Sequence, residues 1–387
     1  MRILSIETSC DETAVSIVDA HGNFPDAIYT ILGNALFSQI DIHREYGGVF
    51  PAVAKREHAK TLVPMLTRAL QEASLLEVRA YTPIPHATKE KISTTLIREE
   101  GLSDALITFL ENHTFPTIDA VAVTTGPGLE PALWVGISFA KALAETLSIP
   151  LIPVNHMEGH ILASVFNGEI LPRLTFPALA LLISGGHTEL VCMENWITHT
   201  TIGKTRDDAV GEAFDKVARM LGLPYPGGPE ISARARRARA LDLPVFHTLP
   251  RPMIDSGDFD FSFSGLKTAV RYAIQNRSLT ETEIDAVARD FENAVTDVLL
   301  KKAEKAISRH AINTLIVGGG VSANTYIREK FNEFFATHYP NLRIFFPPHT
   351  LSTDNSIMIA LTGHAHLEHM RRPESFNTVI AQGNWAL

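Results

Sequence analysis

The chain has 387 residues, of which 45% are hydrophobic and 20% charged, a composition typical of a soluble globular protein long enough for two lobes. No stretch is apolar enough to span a bilayer and the N-terminus lacks signal-peptide features, so we expect a cytoplasmic protein. The two cysteines, Cys10 and Cys192, exclude a disulfide framework and a thiolate zinc cluster. The net charge of −9 argues against a surface coated in positive charge, but a local basic face remains compatible with nucleic-acid binding.

The chain begins with two predicted strands, Arg2–Ser9 and Ala14–Ala20, joined by a turn rich in hydroxyl and acidic side chains. Such a turn can direct N–H and hydroxyl groups at a phosphate or a metal-bound ligand, or can simply cap a hairpin. An amphipathic helix is predicted through Val53 to Leu70. Nearby His43 and His58 are read as surface or packing residues.

The segment from about 76 to 116 has no sustained apolar run and is interrupted by prolines and charged residues. It predicts an inserted surface segment with one or two helices. Beyond it, a buried strand at Ile118–Val123 leads through Thr124–Gly128 into a helix at Ala132–Leu147. A glycine-proline turn at that place directs helix N–H groups at the edge of a sheet, where α/β folds bind ligands.

His156 and His160 lie one turn apart if their segment is helical, so both imidazoles can reach one metal ion. Taken alone, such a pair favours a structural or chance reading over a metal site. Glu158 is two residues from His156, about 200° around a helix, and therefore points away from such a metal. This phase argues against the zinc-protease pattern, in which a glutamate serves as general base.

A second strand–turn–strand unit occupies Phe176–Ile183, Ser184–Thr188 and Glu189–Met193. It repeats the layout of the N-terminal hairpin, which indicates a duplicated α/β architecture with a cleft between two lobes.

The second half of the chain contains four further candidate features. Arg234, Arg236, Arg237 and Arg239 form a basic run on a predicted helix, suited to phosphate contact or to a solvated face. The phenylalanines of 258–267 are read as core residues. A buried strand followed by three glycines ends at Asn324, where a nucleoside can approach the backbone. Asp354 is read as a helix cap or a hard-oxygen metal ligand.

Eight motifs of this sequence are considered together: Ile6–Thr13, His156–His160, Ser184–Thr188, Asp208–Lys216, Tyr225–Pro229, Asp260–Lys267, Gly318–Asn324 and Thr353–Asn355. In combination they closely resemble one family, the universal tRNA threonylcarbamoyladenosine transferases, formerly described as glycoproteases. The resemblance spans nearly the whole chain, and the residues of these motifs are similar to those of bacterial or organellar members rather than archaeal ones.

The resemblance implies the two-lobed fold of actin, sugar kinases and heat-shock ATPases. It implies His156, His160 and Asp354 as ligands of one divalent metal, iron or zinc. It also implies a binding site for threonylcarbamoyl-AMP formed by Leu182, Ile183, Ser184, Gly185, Gly186, Asp215, Gly228 and Asn324. The sequence departs from the family in a longer 76–116 segment and in Asn155, where many bacterial relatives have histidine.

The implied reaction transfers a threonylcarbamoyl group to the exocyclic amine of the adenosine 3′ of the anticodon, in tRNAs reading codons that begin with A, and releases AMP. The metal would hold and polarise the threonylcarbamoyl group. No general base is assigned. The implied partners are tRNA and either a paralogous subunit with a small ATPase or a second copy of the chain. No interaction with a membrane is expected. The run Arg234–Arg239 is the candidate tRNA contact.

For the domains, we expect an N-terminal lobe of residues 1–154 and about 360–387, carrying the inserted segment. A C-terminal lobe of 155–359 would then hold the metal and adenylate sites. Two alternatives remain at this stage: a metallopeptidase, and a sugar-kinase-like ATPase or nucleotide-binding protein with inert histidines.

Overall fold

The structure, a computed structural model, describes residues 1–387. No helix in it is both long enough and apolar enough to cross a membrane. The strands are β1 Arg2–Glu7, β2 Glu12–His21, β3 Ile28–Ser38, β4 Glu77–Val78, β5 His113–Thr114, β6 Ala120–Gly126, β7 Leu151–Asn155, β8 Ala178–Ile183, β9 Thr188–Met193, β10 His199–Lys204, β11 Thr314–Gly318 and β12 Arg343–Phe345. The α-helices are α1 Ile40–Arg44, α2 Pro51–Glu72, α3 His86–Thr95, α4 Leu102–Asn112, α5 Glu130–Leu147, α6 His156–Val165, α7 Val210–Met220, α8 Gly227–Ala240, α9 Ser264–Ile274, α10 Glu281–His310, α11 Thr325–His338 and α12 Ser356–Ala365.

The chain divides into two compact units, and each is described by itself. Unit 1 comprises Met1–Asp41, Val49–Pro172 and Asp354–Ala386. Unit 2 comprises Ile42–Gly48, Arg173–Thr353 and Leu387.

Unit 1 is built on a five-stranded sheet in the order β3-β2-β1-β6-β7. Strands β1, β2 and β3 pair antiparallel, whereas β6 and β7 run parallel to β1. Val121 and Val123 of β6 join the core formed with α2 and α5. Ala122 alternates with them and lies against Gly363 of α12, so helices cover both faces of this strand.

The inserted segment folds as α3 and α4 between the two short strands β4 and β5. The prediction of one or two helices is therefore confirmed. The segment is more than a surface addition, however, because four of its apolar side chains are almost fully buried in the core of unit 1: Ile92, Leu96, Leu102 and Leu106.

Unit 2 repeats the arrangement with a sheet in the order β10-β9-β8-β11-β12. Its first three strands are antiparallel, and β11 and β12 run parallel to β8. The duplicated α/β architecture predicted from the two hairpins is thus confirmed at the level of strand order and direction. Phe259, Phe261 and Phe263 are buried in the core of this unit, as the aromatic pattern predicts.

The division into units differs from the boundaries expected from the sequence. Helix α6 and residues 354–359 belong to unit 1, although the sequence analysis assigned residues 155–359 to the C-terminal lobe. The physical reason is local: β7 passes directly into α6, and α6 packs against α12, which covers the sheet of unit 1. The metal-ligand candidates therefore lie in unit 1, and the glycine-rich loops lie in unit 2.

Candidate metal centre and glycine-rich loops

Asn155 sets the start of α6. Its side-chain oxygen accepts hydrogen bonds from the backbone N–H groups of Met157, at 2.9 Å, and Glu158, at 3.3 Å. These are N–H groups that lack partners within a helix, so Asn155 is the N-cap. The cap places His156 in the first turn and His160 one turn later on the same face, with ring centroids 4.7 Å apart.

Asp354 completes a cluster with the two histidines. Its Oδ1 atom lies 3.4 Å from Nε2 of His156 and 3.2 Å from Nε2 of His160. The capping role left open for Asp354 belongs to its neighbour, because the side chain of Asn355 accepts from the N–H of Met358 at 3.0 Å. Asp354 is therefore free of the capping role and its carboxylate faces the imidazoles.

The three donor atoms fit a metal ion. In a tetrahedral site with metal–ligand distances of about 2.0–2.1 Å, neighbouring ligand atoms lie about 3.3 Å apart, close to the separations here. Nε2 of His160 is buried and lacks a hydrogen bond of good geometry, even though Asp354 is near. An orphaned imidazole nitrogen is costly unless something binds it, and two imidazoles with one carboxylate suit iron or zinc.

A second layer of side chains holds His156. Its Nδ1 lies 3.0 Å from Oε2 of Glu7, which is fully buried at the end of β1, and 3.2 Å from Oγ of Ser9. Glu7 in turn accepts from the N–H of Ser9 and from Oγ1 of Thr124 on the adjacent strand β6, both at 2.5 Å. A carboxylate on the far nitrogen of a ligand histidine fixes its tautomer and orientation. This role of Glu7 was not predicted from the sequence.

The charges of the cluster balance one another. Burial lowers the pKa of His156, but the carboxylates of Asp354 and Glu7 outweigh it and raise that pKa well above its usual value. Burial opposes ionisation of Asp354, yet His156 and His160 hold the pKa of this carboxyl below its usual range. The cluster thus carries one buried carboxylate, Glu7, and one partly buried carboxylate, Asp354, which stabilise a positive charge, whether a proton or a cation.

Glu158 points away from the cluster, as its helical phase predicts. Its Oε1 lies 2.5 Å from Nε2 of His366, after the end of α12. No carboxylate at the zinc-protease position therefore stands beside His156 and His160. The metallopeptidase alternative lacks its general base at this place.

In unit 2, strand β8 ends in an open loop. Leu182 and Ile183 are buried strand residues, and Ser184 closes the turn by exchanging hydrogen bonds with His187. Gly185 and Gly186 have open space where a side chain would stand. Their backbone is accessible to a ligand.

At two places in unit 2, the backbone of a neighbouring segment lies close to the backbone at the end of β8. The backbone of Gly211, in the first turn of α7, donates to the carbonyl of Ser184 at 3.2 Å, and an added Cβ there would clash with that carbonyl. Gly319, with φ of +88°, approaches the carbonyl of Ile183 after the parallel strand β11. The structure thereby brings together the Ser184–Gly186, α7 and Gly318–Gly320 segments.

Asp215, Gly228 and Asn324 lie on the neighbouring helices. Oδ1 of Asp215 accepts from the N–H of Gly227 at 2.7 Å and so fixes the start of α8, next to Gly228, which has open space beside it. Asn324 caps α11 through the N–H of Ile327. These contacts give Asp215 and Asn324 structural tasks within unit 2.

Asn324 also belongs to a buried polar network. Its amide donates to Oγ of Ser232, at 2.8 Å, and to Oε1 of Glu292, at 2.7 Å. Glu292 is fully buried on α10 and also accepts from Arg239 at 2.6 Å. Glu292 could not be singled out from the sequence, because it stands in a long amphipathic helix without a motif around it.

Three of the four arginines of α8 are neutralised within unit 2. Arg234 and Arg237 pair with Asp285, and Arg239 pairs with Glu292. Arg236 instead donates to the hydroxyl of Thr325 at 3.3 Å. Arg236 is therefore the member of the run that lacks a carboxylate partner in these contacts.

The sequence of this chain matches the family model described as TsaD: tRNA N6-adenosine threonylcarbamoyltransferase, over residues 30–79 and 102–361. The unmatched stretch 80–101 lies within the inserted segment, where the sequence analysis expected a departure from the family.

Curated relatives match the chain over nearly its full length. The tRNA N6-adenosine threonylcarbamoyltransferase of Kosmotoga olearia is 42% identical, over 94% of this chain and 93% of the relative. Those of Persephonella marina and Nitrosomonas eutropha are 42% and 38% identical, over 94% and 100% of this chain and 90% and 99% of the relatives. Among solved structures, HypF of T. kodakarensis is similar with a TM-score of 0.49 and 14% identity, over 71% of this chain and 43% of that chain.

Proposed function

Because this chain belongs to the tRNA N6-adenosine threonylcarbamoyltransferase family, we propose that it transfers threonylcarbamoyl from threonylcarbamoyl-AMP to N6 of the adenosine 3′ of the anticodon. The tRNAs concerned read codons that begin with A. In the reaction a bond forms between N6 and the carbamoyl carbon, the bond from that carbon to the phosphate oxygen of AMP breaks, and N6 loses a proton. The observation that carries the proposal is the cluster of two buried histidines, His156 and His160, with Asp354, in which Glu7 holds the ring of His156.

His156, His160 and Asp354 would hold one divalent ion, iron or zinc. When bound, that ion supplies a Lewis acid that orients the threonylcarbamoyl group and polarises its carbonyl. The chain's own contribution is rigidity: Asn155 fixes the start of α6, Asn355 fixes the start of α12, and Glu7 fixes the ring of His156. An adenine amine is a weak nucleophile, so such fixed positioning accounts for much of the rate.

The loops of unit 2 would bind the adenylate half of the substrate. The accessible backbone of Gly185, Gly186 and Gly228 supports this assignment, because phosphate and ribose need close approach to main-chain N–H groups. Leu182, Ile183 and Ser184 position the first loop, and Asp215 positions the second. Asn324 would act by holding α8 and α11 together, since its amide hydrogens already have protein acceptors.

The macromolecular substrate of the proposal is tRNA. Its target adenosine would leave the stacked anticodon loop to reach the site, as single-stranded bases do when proteins act on them. Within the run Arg234–Arg239, Arg236 is best suited to phosphate contact because its neighbours are paired. The proposed protein partners are a paralogous subunit with a small ATPase, or a second copy of this chain.

The test is reconstitution of the reaction. The purified protein is incubated with threonine, bicarbonate, ATP, an adenylate-forming enzyme, the partner proteins and unmodified tRNA, and the digested nucleosides are analysed by mass spectrometry. Threonylcarbamoyladenosine should appear in tRNA reading codons that begin with A and be absent from a tRNA reading other codons. Unmodified tRNA in the complete mixture, or equal modification of both tRNAs, would refute the proposal.

A further inference from the structure

A second group of side chains with atoms that can coordinate a metal ion lies where α12 ends. His366, Glu368 and His369 stand in a short turn, and their ligand atoms all lie within 4.8 Å of one another. His366 and the ligand candidate Asp354 lie at opposite ends of α12. This ten-residue helix is about 15 Å long at about 1.5 Å per residue. The group is therefore separate from the centre formed by His156, His160 and Asp354.

The spacing of the second group suits a shared ion. Nδ1 of His366 lies 3.1 Å from Oε1 of Glu368, and Nε2 of His369 lies 3.9 Å from the same oxygen. Neighbouring ligands of a tetrahedral ion lie about 3.3 Å apart. The ring of His369 is stacked parallel to that of His366, with centroids 4.7 Å apart, so it must turn before its Nε2 can share an ion with Nδ1 of His366. The His369 side chain is 44% exposed and has room to turn.

A buried carboxylate already orients the central ligand. The second ring nitrogen of His366, Nε2, lies 2.5 Å from Oε1 of Glu158 on α6, and both side chains are 9% exposed. This contact is independent of Glu368 and His369, and it leaves Nδ1 of His366 directed at Glu368. In metal sites, a histidine ligand commonly uses one ring nitrogen for the metal and donates from the other to a carboxylate, which fixes the orientation of the ring. Glu158 occupies the position of that carboxylate for His366.

We propose that His366, Glu368 and His369 form a second divalent transition-metal site, with Glu158 as the carboxylate that orients its central histidine. Two imidazoles and one carboxylate favour an ion of the zinc and cobalt class over magnesium or calcium, which prefer oxygen ligands. The exposure of Glu368 and His369 leaves room for water to complete the coordination shell.

Occupation of this site would connect two helices that also carry the first centre. Glu158 belongs to α6, between His156 and His160 in the sequence, and His366 follows α12, which Asp354 precedes. An ion bound by the folded chain stabilises it in proportion to the logarithm of its concentration. We therefore expect zinc at the second site to raise the melting temperature even when the first centre is disabled.

The experiment counts bound ions on the full chain. Metal-free protein is dialysed against zinc, and bound zinc is measured for wild type, His369→Ala and His338→Ala. His338 is an exposed histidine on α11 outside both clusters and serves as the matched control. We expect two ions for wild type and for His338→Ala, and one ion for His369→Ala.

A second comparison isolates the outer site. In a His156→Ala/His160→Ala background the protein should retain one zinc ion, with a cobalt(II) spectrum that is lost on adding His369→Ala. Glu158→Gln in this background leaves all three ligands in place and should weaken zinc binding about 10- to 100-fold. Equal zinc content and affinity with and without His369→Ala, in either background, would overturn the proposal, and circular dichroism checks that each variant is folded.

Discussion

Glu7 at the end of the first strand holds the ring of His156, with Oε2 3.0 Å from Nδ1 across 149 residues of sequence. The carboxylate is fully buried and receives two further hydrogen bonds, from the N–H of Ser9 and from Thr124. The histidine is therefore oriented before any metal arrives. The first strand of the sheet thus contributes directly to the candidate metal centre.

Glu7→Gln is expected to weaken zinc binding at the first centre by about 10- to 100-fold, because the amide removes the negative charge behind His156 while preserving the shape of the side chain. Competition with a chelator measures the affinity. Glu100→Gln, at an exposed glutamate, is the control and should bind zinc like wild type. Equal affinity of the Glu7 and Glu100 variants would contradict the assigned role.

Asn155→Ala should lower the free energy of unfolding by about 0.5–2 kcal/mol, since two N–H groups at the start of α6 lose their acceptor. Urea unfolding measures the loss. Asn155→Asp retains a capping oxygen and should lose less stability than the alanine variant. If aspartate and alanine destabilise equally, capping is not the contribution of this residue.

The inserted segment should contribute to stability through its buried side chains. Leu106→Ala is expected to cost about 2–5 kcal/mol, because Leu106 is fully buried in the core of unit 1. Ile97→Ala, in the same segment but 80% exposed, should change stability by less than about 0.5 kcal/mol. Similar small effects of both substitutions would show that the segment packs only loosely on unit 1.

The acid sensitivity of unit 2 should depend on Asp208. Burial raises the pKa of this carboxyl, but its hydrogen bonds with Lys216 and Lys267, at 2.8 and 2.9 Å, outweigh that and lower the pKa below its usual 3.8. A carboxyl whose pKa is lower in the folded state adds stability above its unfolded pKa and loses it as pH falls through the folded pKa. Asp208→Asn should thus destabilise the protein at pH 7, and its difference from wild type should shrink below about pH 4.

Urea unfolding of both proteins between pH 7 and pH 3 measures this difference. Asp242→Asn is a suitable control because Asp242 is exposed and makes no ion pair in the structure. A stability gap for Asp208→Asn that does not change with pH would contradict the pairing as its cause.

The predictions that the structure confirms were made from residue patterns within single segments of the sequence. The strands of both hairpins alternate or are continuously apolar, and the spacing of His156 and His160 is a property of one helical turn. Asp354 lies far along the chain, so its place beside the histidines followed only from the family resemblance. Spacing within a segment says nothing about such long-range contacts.

The features missed from the sequence depend on tertiary contacts. In the sequence, Glu7 looks like part of a polar turn, and only the packing of β1 beside α6 shows its contact with His156. Glu292 looks like one of many charges in a long helix, and only its contacts with Arg239 of α8 and with Asn324 at the start of α11 show its role. The boundary after residue 154 differs for the same reason, because tertiary contacts of α6 with α12 and with strands β6 and β7 assign the histidines to unit 1.

The dependence of tRNA modification on the His156–His160–Asp354 centre is tested most directly by measuring metal content and tRNA modification on the same samples of wild type and Asp354→Asn. We expect one ion at the first centre and threonylcarbamoyladenosine formation for wild type, and loss of both for the variant, with circular dichroism unchanged. Full modification of tRNA by a variant that holds no metal at this centre would contradict this dependence.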